Sequence, residues 1–386
     1  MSTLLSSGVV LFTSVLLMLA LLIMGRNLYI AILSQPHFHR NILIVGTGMA
    51  AKTIARTLTE NGNGMYHIVG FVDDDPAKIG SEVQVRDTCS DAATVGQGSE
   101  ASYRNVGIPL RVLGDHCALP NLITGHSVST LVVAITHQVS SELLQALMDC
   151  LESGVEILPM PLLYERLTGR VPVEYIGNNW CVAMPVNHPG TRKIWPIVKR
   201  AFDLTSASLG LICLGIAFPL IALAIYLDSP GPIFYTQERV GKGGRTFRLY
   251  KFRSMRPGAE NGKAIWASKN DERVTRVGYI LRKTHIDEFP QFLNIIKGEM
   301  SAVGPRPERP EFVNELTREI PFYRVRHAVK PGMAGWGLVK QGYGSSKEDA
   351  LLKLQYDLYY IKHQSLWLDI VILFKTIVDT LTFRGR

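Results

Sequence analysis

The feature that most limits how this chain can fold is an uninterrupted apolar run at residues 204–227. These 24 residues carry no charged side chain, and that length is sufficient to cross the hydrocarbon core of a bilayer. Lys199 and Arg200 precede the run, and residues 237–256 behind it are rich in arginine and lysine. Basic flanks favour the cytoplasmic side of a membrane, so both ends of the run belong on the same side. One crossing cannot satisfy that requirement.

Pro219 lies inside the run. Proline removes a backbone donor and kinks a helix. We therefore predict a re-entrant membrane helix over residues 200–228, which breaks at Pro219 and dips into one leaflet. The alternative is an ordinary transmembrane helix with a proline kink.

A second uncharged apolar run lies at residues 8–25. It predicts a transmembrane helix, which with its connector occupies residues 1–35. A signal peptide is the rival interpretation, but no basic segment precedes the run and no small-residue cleavage site follows it. Arg26 and Arg40 come after the run, and they place the following domain in the cytoplasm.

The charge and cysteine content narrow the class of protein. A net charge of +8 suits anionic lipid surfaces or phosphate-rich substrates, and on this ground alone it equally suits nucleic acid. The five cysteines are scattered and have no CxxC spacing. Such a set argues against a disulfide scaffold or a zinc site and favours reduced thiols in the cytoplasm.

Residues 40–186 predict a doubly wound α/β domain. Apolar strand-like runs at 41–45, 66–72, 131–135 and 155–158 alternate with helical patterns. Gly46 and Gly48 follow the first strand, and Asp73 follows the second. This spacing resembles a dinucleotide fingerprint, in which the acidic residue meets a ribose hydroxyl. A tight turn in a Rossmann-like domain that binds nothing, or another nucleotide, explains the glycines equally well.

Asp287 and Glu288 are adjacent carboxylates at the start of an amphipathic stretch. Thr284 has the spacing of an N-cap residue, so the pair could simply begin a helix. The surrounding charges favour a larger role, because Arg282, Arg306 and Arg309 bracket the pair in sequence. Carboxylates among fixed cations can hold a divalent metal and a phosphate together, and a carboxylate can attack phosphorus.

Several segments taken together resemble the bacterial sugar transferases, the monotopic polyprenyl-phosphate phosphoglycosyl transferases. The segments that carry the resemblance are DEFPQ at 287–291, VGPRP at 303–307, the stretch ending in KFRSM at 251–255, and RHAVKPGMAGW at 326–336. The resemblance implies a mainly helical catalytic domain over residues 199–386, joined by a linker at 187–198 to a Rossmann-like accessory domain at 40–186. Residues 337–340 depart from the usual family sequence, so the sugar donor is left open.

The resemblance also implies a reaction, namely transfer of a sugar 1-phosphate from a nucleotide diphosphate sugar to polyprenyl phosphate, with Asp287 as the nucleophile. Glu288 would help to hold Mg²⁺. The side chains that the family places near the phosphates are Lys251, Arg253, Arg282, Arg306, Arg309 and Arg326. The implied partners are the nucleotide sugar, the lipid acceptor and the bilayer of the bacterial inner membrane, and not nucleic acid. Whether the chain forms a homo-oligomer stays open.

Two other functions remain as alternatives. The first is a membrane-tethered, NAD-dependent nucleotide-sugar oxidoreductase or dehydratase that uses Gly46, Gly48 and Asp73. The tyrosines of residues 40–186 have no lysine four residues on, so the YxxxK pair of such enzymes is missing. The second is a scaffold without enzymatic activity, which binds polysaccharide machinery through its basic surface.

Overall fold

The structure is a computed structural model that describes residues 13–14, 17–18, 20–26, 40–62, 64–85, 109–136, 139–175, 194–259, 271–341 and 346–382. It divides into two compact units, residues 1–168 and 169–386. Residues 20–26 are helical and exposed. Of the predicted N-terminal helix and its connector, residues 1–35, the structure describes 13–14, 17–18 and 20–26. The polar stretch 86–108 lies outside the described residues.

The first unit is built on a six-stranded sheet. Its strands are β1 (Arg40–Val45), β2 (Tyr66–Val72), β3 (Glu82–Gln84), β4 (Pro109–Gly114), β5 (Thr130–Val133) and β6 (Glu156–Pro159). Their order is β3-β4-β2-β1-β5-β6, and all neighbours are parallel except β3 with β4. The order reverses between β1 and β5, which is the switch point where open α/β sheets place ligands.

Among the described residues of this unit, four α-helices accompany the sheet. They are α1 (Met49–Asn61), α2 (Leu119–His126), α3 (Ser141–Glu152) and α4 (Met160–Thr168). Leu43 and Val45 pack with residues of α2 and α3. Ile42 and Ile44 are equally buried and point to the other face, because side chains alternate along a strand. A sheet that needs cover on both faces explains why its central strand is a continuous apolar run.

The second unit is mainly helical. Its helices are α5 (Trp195–Asp228), α6 (Arg276–Lys283), α7 (Phe292–Lys297), α8 (Pro310–Glu319), α9 (Trp336–Gln341), α10 (Lys347–Lys362) and α11 (Leu366–Leu381). The strands β7 (Phe234–Val240) and β8 (Thr246–Phe252) form an antiparallel hairpin. The short strands β9 (Ser301–Val303) and β10 (Gly332–Ala334) pair in parallel. The mixed α/β fold with a parallel sheet and one long apolar helix is thus confirmed.

Helix α5 contains the apolar run. All 34 of its residues are helical, Pro219 included. Among the described residues it is the one helix long and apolar enough to cross a membrane, with a mean hydropathy of 2.5 in its most apolar window. Only 11% of that window is buried inside the protein. The composition is compatible with a monotopic membrane anchor. Re-entry at Pro219 stays a prediction.

The end of the first unit lies earlier than residue 186, where the accessory domain was predicted to finish. Val171 and Val173 pack in a core of the second unit that includes Val240 and Leu316. Residues 176–193, which hold most of the predicted linker, lie outside the described residues. The rest of that predicted linker, from Trp195, already belongs to α5.

Candidate active site

Asp287 and Glu288 lie on a short 3₁₀ turn, Ile286–Gln291, between α6 and α7. The prediction that Thr284 begins a helix is wrong, because Thr284 ends α6 and its hydroxyl donates to Ile280. His285 then adopts a left-handed backbone conformation with φ of 56°, which is uncommon for a residue with a side chain. The chain leaves the helix at this point, and Asp287 and Glu288 follow in the 3₁₀ turn.

Both carboxylates are buried, and Glu288 is held by two cations. Lys251 Nζ lies 2.7 Å from Glu288 Oε1, and Arg306 Nη2 lies 2.7 Å from the same oxygen. Arg306 Nη1 reaches Glu288 Oε2 at 3.4 Å. Lys251 comes from β8, and Arg306 comes from the GPRP turn that follows β9. Three separate elements therefore meet at one carboxylate.

Asp287 has a different environment from its neighbour. No hydrogen bond or ion pair to its side chain occurs within the described ranges, although Lys251, Arg282 and Arg306 lie near enough to act on its charge. Burial, opposed by these cations, raises the pKa of Asp287 to about 6. For Glu288, burial is outweighed by Arg306 and Lys251, which hold its pKa well below the usual range. Glu288 is therefore held in ion pairs with two cations, whereas the carboxylate of Asp287 makes no such bond among the described residues.

Arg282 and Arg253 flank this centre. Arg282 Nε donates to Ser254 Oγ at 2.9 Å, which fixes the end of α6 beside β8. Arg253 is 7% exposed and donates to the carbonyl of Ser229 in the turn after α5. Gly231 in that turn has φ of +135°, and a Cβ there would lie 2.4 Å from Arg253 Nη1.

Arg326 and Arg309, two of the predicted phosphate contacts, bond to neighbouring protein groups. Arg326 is buried and donates to Asp357 Oδ2 at 2.9 Å and to the carbonyl of Arg306 at 3.0 Å. It therefore supports the backbone that carries the Arg306 guanidinium. Arg309 lies 3.6 Å from Glu311 and faces the ring of Phe312. Direct phosphate contacts by these two arginines stay predictions.

The GPRP turn is locked by a second glycine-containing segment. Gly304 N donates to Ala334 O, and Gly332 N donates to Pro305 O, each at 2.9 Å. A Cβ on Gly332 would lie 2.0 Å from Gly304 N. The two backbones thus approach closely enough that only glycine fits. The KPG segment at 330–332 thereby holds the turn that presents Arg306.

Sequence reasoning missed the buried groups that tie α5 to β9. Asp203 Oδ1 accepts hydrogen bonds from Ser301 Oγ at 2.8 Å and Ala302 N at 2.9 Å. Lys199 Nζ lies 2.6 Å from Asp369 and 3.1 Å from the carbonyl of Val303. A single acidic residue at the edge of an apolar run was the available signal, because a buried charge needs partners.

The predicted nucleotide-binding residues meet at one edge of the first unit's sheet. Gly46 has φ of +104°, and Gly48 precedes α1 with open space where a Cβ would stand. Asp73 accepts a hydrogen bond from Thr47 and lies 3.3 Å from Lys78. The partial burial of Asp73 acts to raise its pKa, but these contacts outweigh burial and lower the pKa. Nucleotide binding at this edge stays a prediction.

The predicted Mg²⁺ can be tested against the donor set. In the part of the chain that the structure describes, no three histidine, cysteine, aspartate or glutamate side chains converge as a metal site. Magnesium often binds through one or two carboxylates together with substrate phosphates. Asp287 and Glu288 supply two adjacent carboxylates beside several cations, so the residues fit a metal that arrives with a diphosphate.

The family model described as bacterial sugar transferase matches residues 194–383. A UDP-N-acetylgalactosamine-undecaprenyl-phosphate N-acetylgalactosaminephosphotransferase of Aeromonas hydrophila is 43% identical over 61% of this chain and 55% of that protein. An undecaprenyl-phosphate glucose phosphotransferase of Komagataeibacter xylinus is 32% identical over 88% and 58%. The chain spans a little over half the length of these two relatives. The exopolysaccharide production protein PSS of Rhizobium leguminosarum bv. phaseoli is 40% identical over 49% of this chain and 98% of its own length.

A match over nearly the whole of one relative, together with the site built by residues 251–306, defines the class of the protein. The chain belongs to the bacterial sugar transferase family. The matched region lies in the second unit and includes Asp287, Glu288 and all the cations around them.

Proposed function

We propose that this protein transfers a sugar 1-phosphate from a nucleotide diphosphate sugar, with a UDP-sugar as the donor, to polyprenyl phosphate, and so initiates the assembly of an exopolysaccharide or another glycoconjugate. The observation that carries the proposal is the unequal pair at residues 287–288. Glu288 is tied to Lys251 and Arg306, whereas the buried Asp287 carboxylate beside it has no hydrogen-bond partner among the described residues. The names of the relatives support the same reaction class.

In the first step, an Asp287 oxygen attacks the phosphorus that bears the sugar. The bond between this phosphorus and the bridging oxygen breaks, and the nucleoside monophosphate, UMP for a UDP-sugar, leaves with the electron pair. The sugar phosphate is then held on Asp287 as an acyl phosphate. With a pKa of about 6, the carboxylate is mostly ionised at neutral pH and needs no base to become a nucleophile.

In the second step, an oxygen of polyprenyl phosphate attacks the same phosphorus and releases the Asp287 carboxylate. Arg306 and Arg282 clamp phosphate oxygens and offset the charge that develops on them. Glu288 would help to hold Mg²⁺, and the bound ion would supply positive charge to offset the charge that develops on the leaving group. The acceptor reaches the site from the bilayer, where α5 re-enters at Pro219 on the cytoplasmic side of the inner membrane.

The test uses the full chain in lipid nanodiscs with undecaprenyl phosphate, Mg²⁺ and a panel of UDP-sugars, and it measures UMP release. We expect UMP with one donor or a few related donors. Asp287→Asn should lose at least about a thousandfold in rate, since a carboxamide is a very poor nucleophile at phosphorus. Glu142→Asn, an exposed acidic site on α3, is the matched control. Without acceptor, label from a donor with a radioactive β-phosphate should stay on the protein and be released by hydroxylamine. Folded protein that turns over no nucleotide sugar contradicts the proposal.

A further inference from the structure

A second group of reactive side chains lies in the first unit, apart from the Asp287 and Glu288 site. It consists of Asp74, His116 and Cys117. Asp74 directly follows Asp73 at the end of β2, and His116 lies two residues beyond the end of β4. Because β2 and β4 are adjacent parallel strands, their carboxyl ends meet at the same edge of the sheet. The topology of the sheet therefore brings together residues that are 42 positions apart.

The three side chains form a chain of contacts from carboxylate to imidazole to thiol. Asp74 Oδ1 lies 2.8 Å from His116 Nδ1 and also accepts the backbone N–H of His116 at 3.0 Å. On the far side of the ring, His116 Nε2 lies 3.4 Å from Cys117 Sγ. The carboxylate favours the tautomer with the proton on Nδ1, so Nε2 is left as an acceptor that faces the thiol. A nucleophile thus lies next to a base, and the base lies next to a group that orients it.

The thiol is also accessible. Cys117 is exposed, whereas Cys150 in the same unit is buried. The backbone around the thiol is fixed, because Asp115 Oδ1 accepts the N–H groups of Cys117 and Ala118 at 3.1 and 3.2 Å. A purely structural role at this turn would require only the pair between Asp74 and His116. It would not require a thiol on the free nitrogen of the ring.

We propose that Cys117 is a peroxide-reactive thiol, with His116 as its base and Asp74 as a positioning residue. His116 Nε2 takes the thiol proton while the sulfur attacks one oxygen of a hydroperoxide. The O–O bond breaks, and the departing hydroxide or alkoxide recovers the proton as water or alcohol. Sulfur is oxidised by two electrons to sulfenic acid, and the peroxide is reduced by the same two. A small cytoplasmic thiol can then condense with the sulfenic acid, releasing water and forming a mixed disulfide.

The experiment treats the full-length protein in detergent with hydrogen peroxide in the presence of dimedone, which traps sulfenic acid. Mass spectrometry of the Cys117 peptide gives the rate of labelling. We expect Cys117 to label at least about tenfold faster than Cys150 in the same sample and than a free cysteine peptide. His116→Gln should slow the labelling about tenfold or more, as loss of a general base does. Asp74→Asn should slow it about threefold.

His126→Gln is the matched control, because His126 is an exposed histidine at the end of α2, and its rate should equal that of the wild type. Circular dichroism and thermal melting identify any variant that fails to fold. If His116→Gln loses structure, Asp74→Asn still tests the proposal, because it keeps an acceptor oxygen at position 74. Labelling at the rate of a free cysteine peptide overturns the proposal. Equal rates in the wild type, His116→Gln and Asp74→Asn overturn it as well.

Discussion

Two neighbouring residues of one turn, Asp287 and Glu288, differ in pKa because their partners differ. Glu288 faces two cations at 2.7 Å, and this compensation makes an ionised carboxylate tolerable in a buried position. Asp287 is also buried but makes no such contact with a cation in the described part of the chain, so its pKa rises to about 6. Carboxylates whose environments separate their pKa values generally take separate chemical roles. Lys251 and Arg306 create this difference in pKa, so we expect activity to depend on them as much as on the acidic pair.

Replacing Arg306 by lysine tests how far geometry matters beyond charge. Lysine keeps the positive charge but loses the planar fork that reaches both oxygens of Glu288. We expect kcat/KM for UMP release to fall about tenfold in Arg306→Lys and about a hundredfold in Arg306→Gln. Arg111→Lys, an exposed arginine paired with Glu82, serves as the control. Equal activity of Arg306→Lys and the wild type would show that charge alone suffices.

His327 makes stability depend on pH. Burial, together with Arg326 and Arg324, lowers the pKa of His327 to about 4. The unfolded chain binds a proton near pH 6.5 but the folded chain does not, so stability is complete above pH 6.5 and is lost as the pH falls towards 4. For a partly exposed ring the loss by pH 5 is of order 1 kcal/mol after screening by solvent.

Thermal melting of the detergent-solubilised protein from pH 7.5 to 5 measures this loss. The melting temperature of His327→Gln should fall less over this range than that of the wild type, because the variant has no proton to take up in the unfolded state. His126→Gln, in which an exposed histidine is removed, should follow the wild type. A wild-type curve that matches His327→Gln would mean that the ring is protonated in the folded protein.

At the scale of elements, α6 links the end of the apolar helix to the active site. Asp228, the last residue of α5, accepts the N–H of Val277 in the first turn of α6 at 2.8 Å. Arg282 at the other end of α6 donates to Ser254. Gly278 lies between these contacts against the backbone of Ser254. The position of Arg282 beside Asp287 thus depends on how closely α6 packs on that strand end.

Gly278→Ala should disturb the active site without removing a polar group. A Cβ at this position would lie 2.0 Å from Ser254 O, so α6 must move away. We expect a loss of about 1–3 kcal/mol in unfolding free energy and a fall in UMP release of at least about tenfold as Arg282 shifts. Gly215→Ala in α5, where a Cβ meets nothing within 4 Å, should change neither quantity appreciably. Two variants with equal activity would rule out this role for α6.

The sequence predicts helices and strands well where the apolar periodicity is strong. It predicts them poorly where a reversal of the chain sets the end of the element. The strand at 66–72 has the predicted bounds. Strand β4 was missed because the charged Arg111 interrupts its apolar residues. Thr284 was misassigned because a threonine before acidic residues has the pattern of an N-cap, whereas the left-handed turn at His285 has no such pattern. The family motifs singled out the acidic pair, Arg306 and Arg326. The spacing of residues showed neither the buried contact of Arg326 with Asp357 nor the buried contacts of Asp203.

At the scale of the molecule, the exposed apolar faces of the second unit support its proposed place at a membrane. Helix α11 buries Asp369 and Ile372 completely while Trp367, Phe374 and Ile377 remain exposed. Such an apolar outer face, on a helix anchored by its other side, suits a helix that lies in the membrane interface. In α5, likewise, only 11% of the most apolar window is buried inside the protein. A water-soluble protein rarely exposes this much contiguous apolar surface.

Re-entry of α5 makes a topological prediction, namely that both of its ends face the same side of the membrane. Single cysteines at Ile197, near the start of α5, and at Arg245, in the hairpin turn after it, mark the two ends, and both positions are exposed. They are introduced after the native cysteines have been replaced by serine, in variants that retain UMP release. Leu144→Cys, exposed on α3, reports the side of the first unit. An impermeant maleimide should label all three in inside-out vesicles and none in intact spheroplasts. Labelling of residues 197 and 245 from opposite sides would contradict re-entry. It would show that α5 is a transmembrane helix, with its two basic flanks in different compartments.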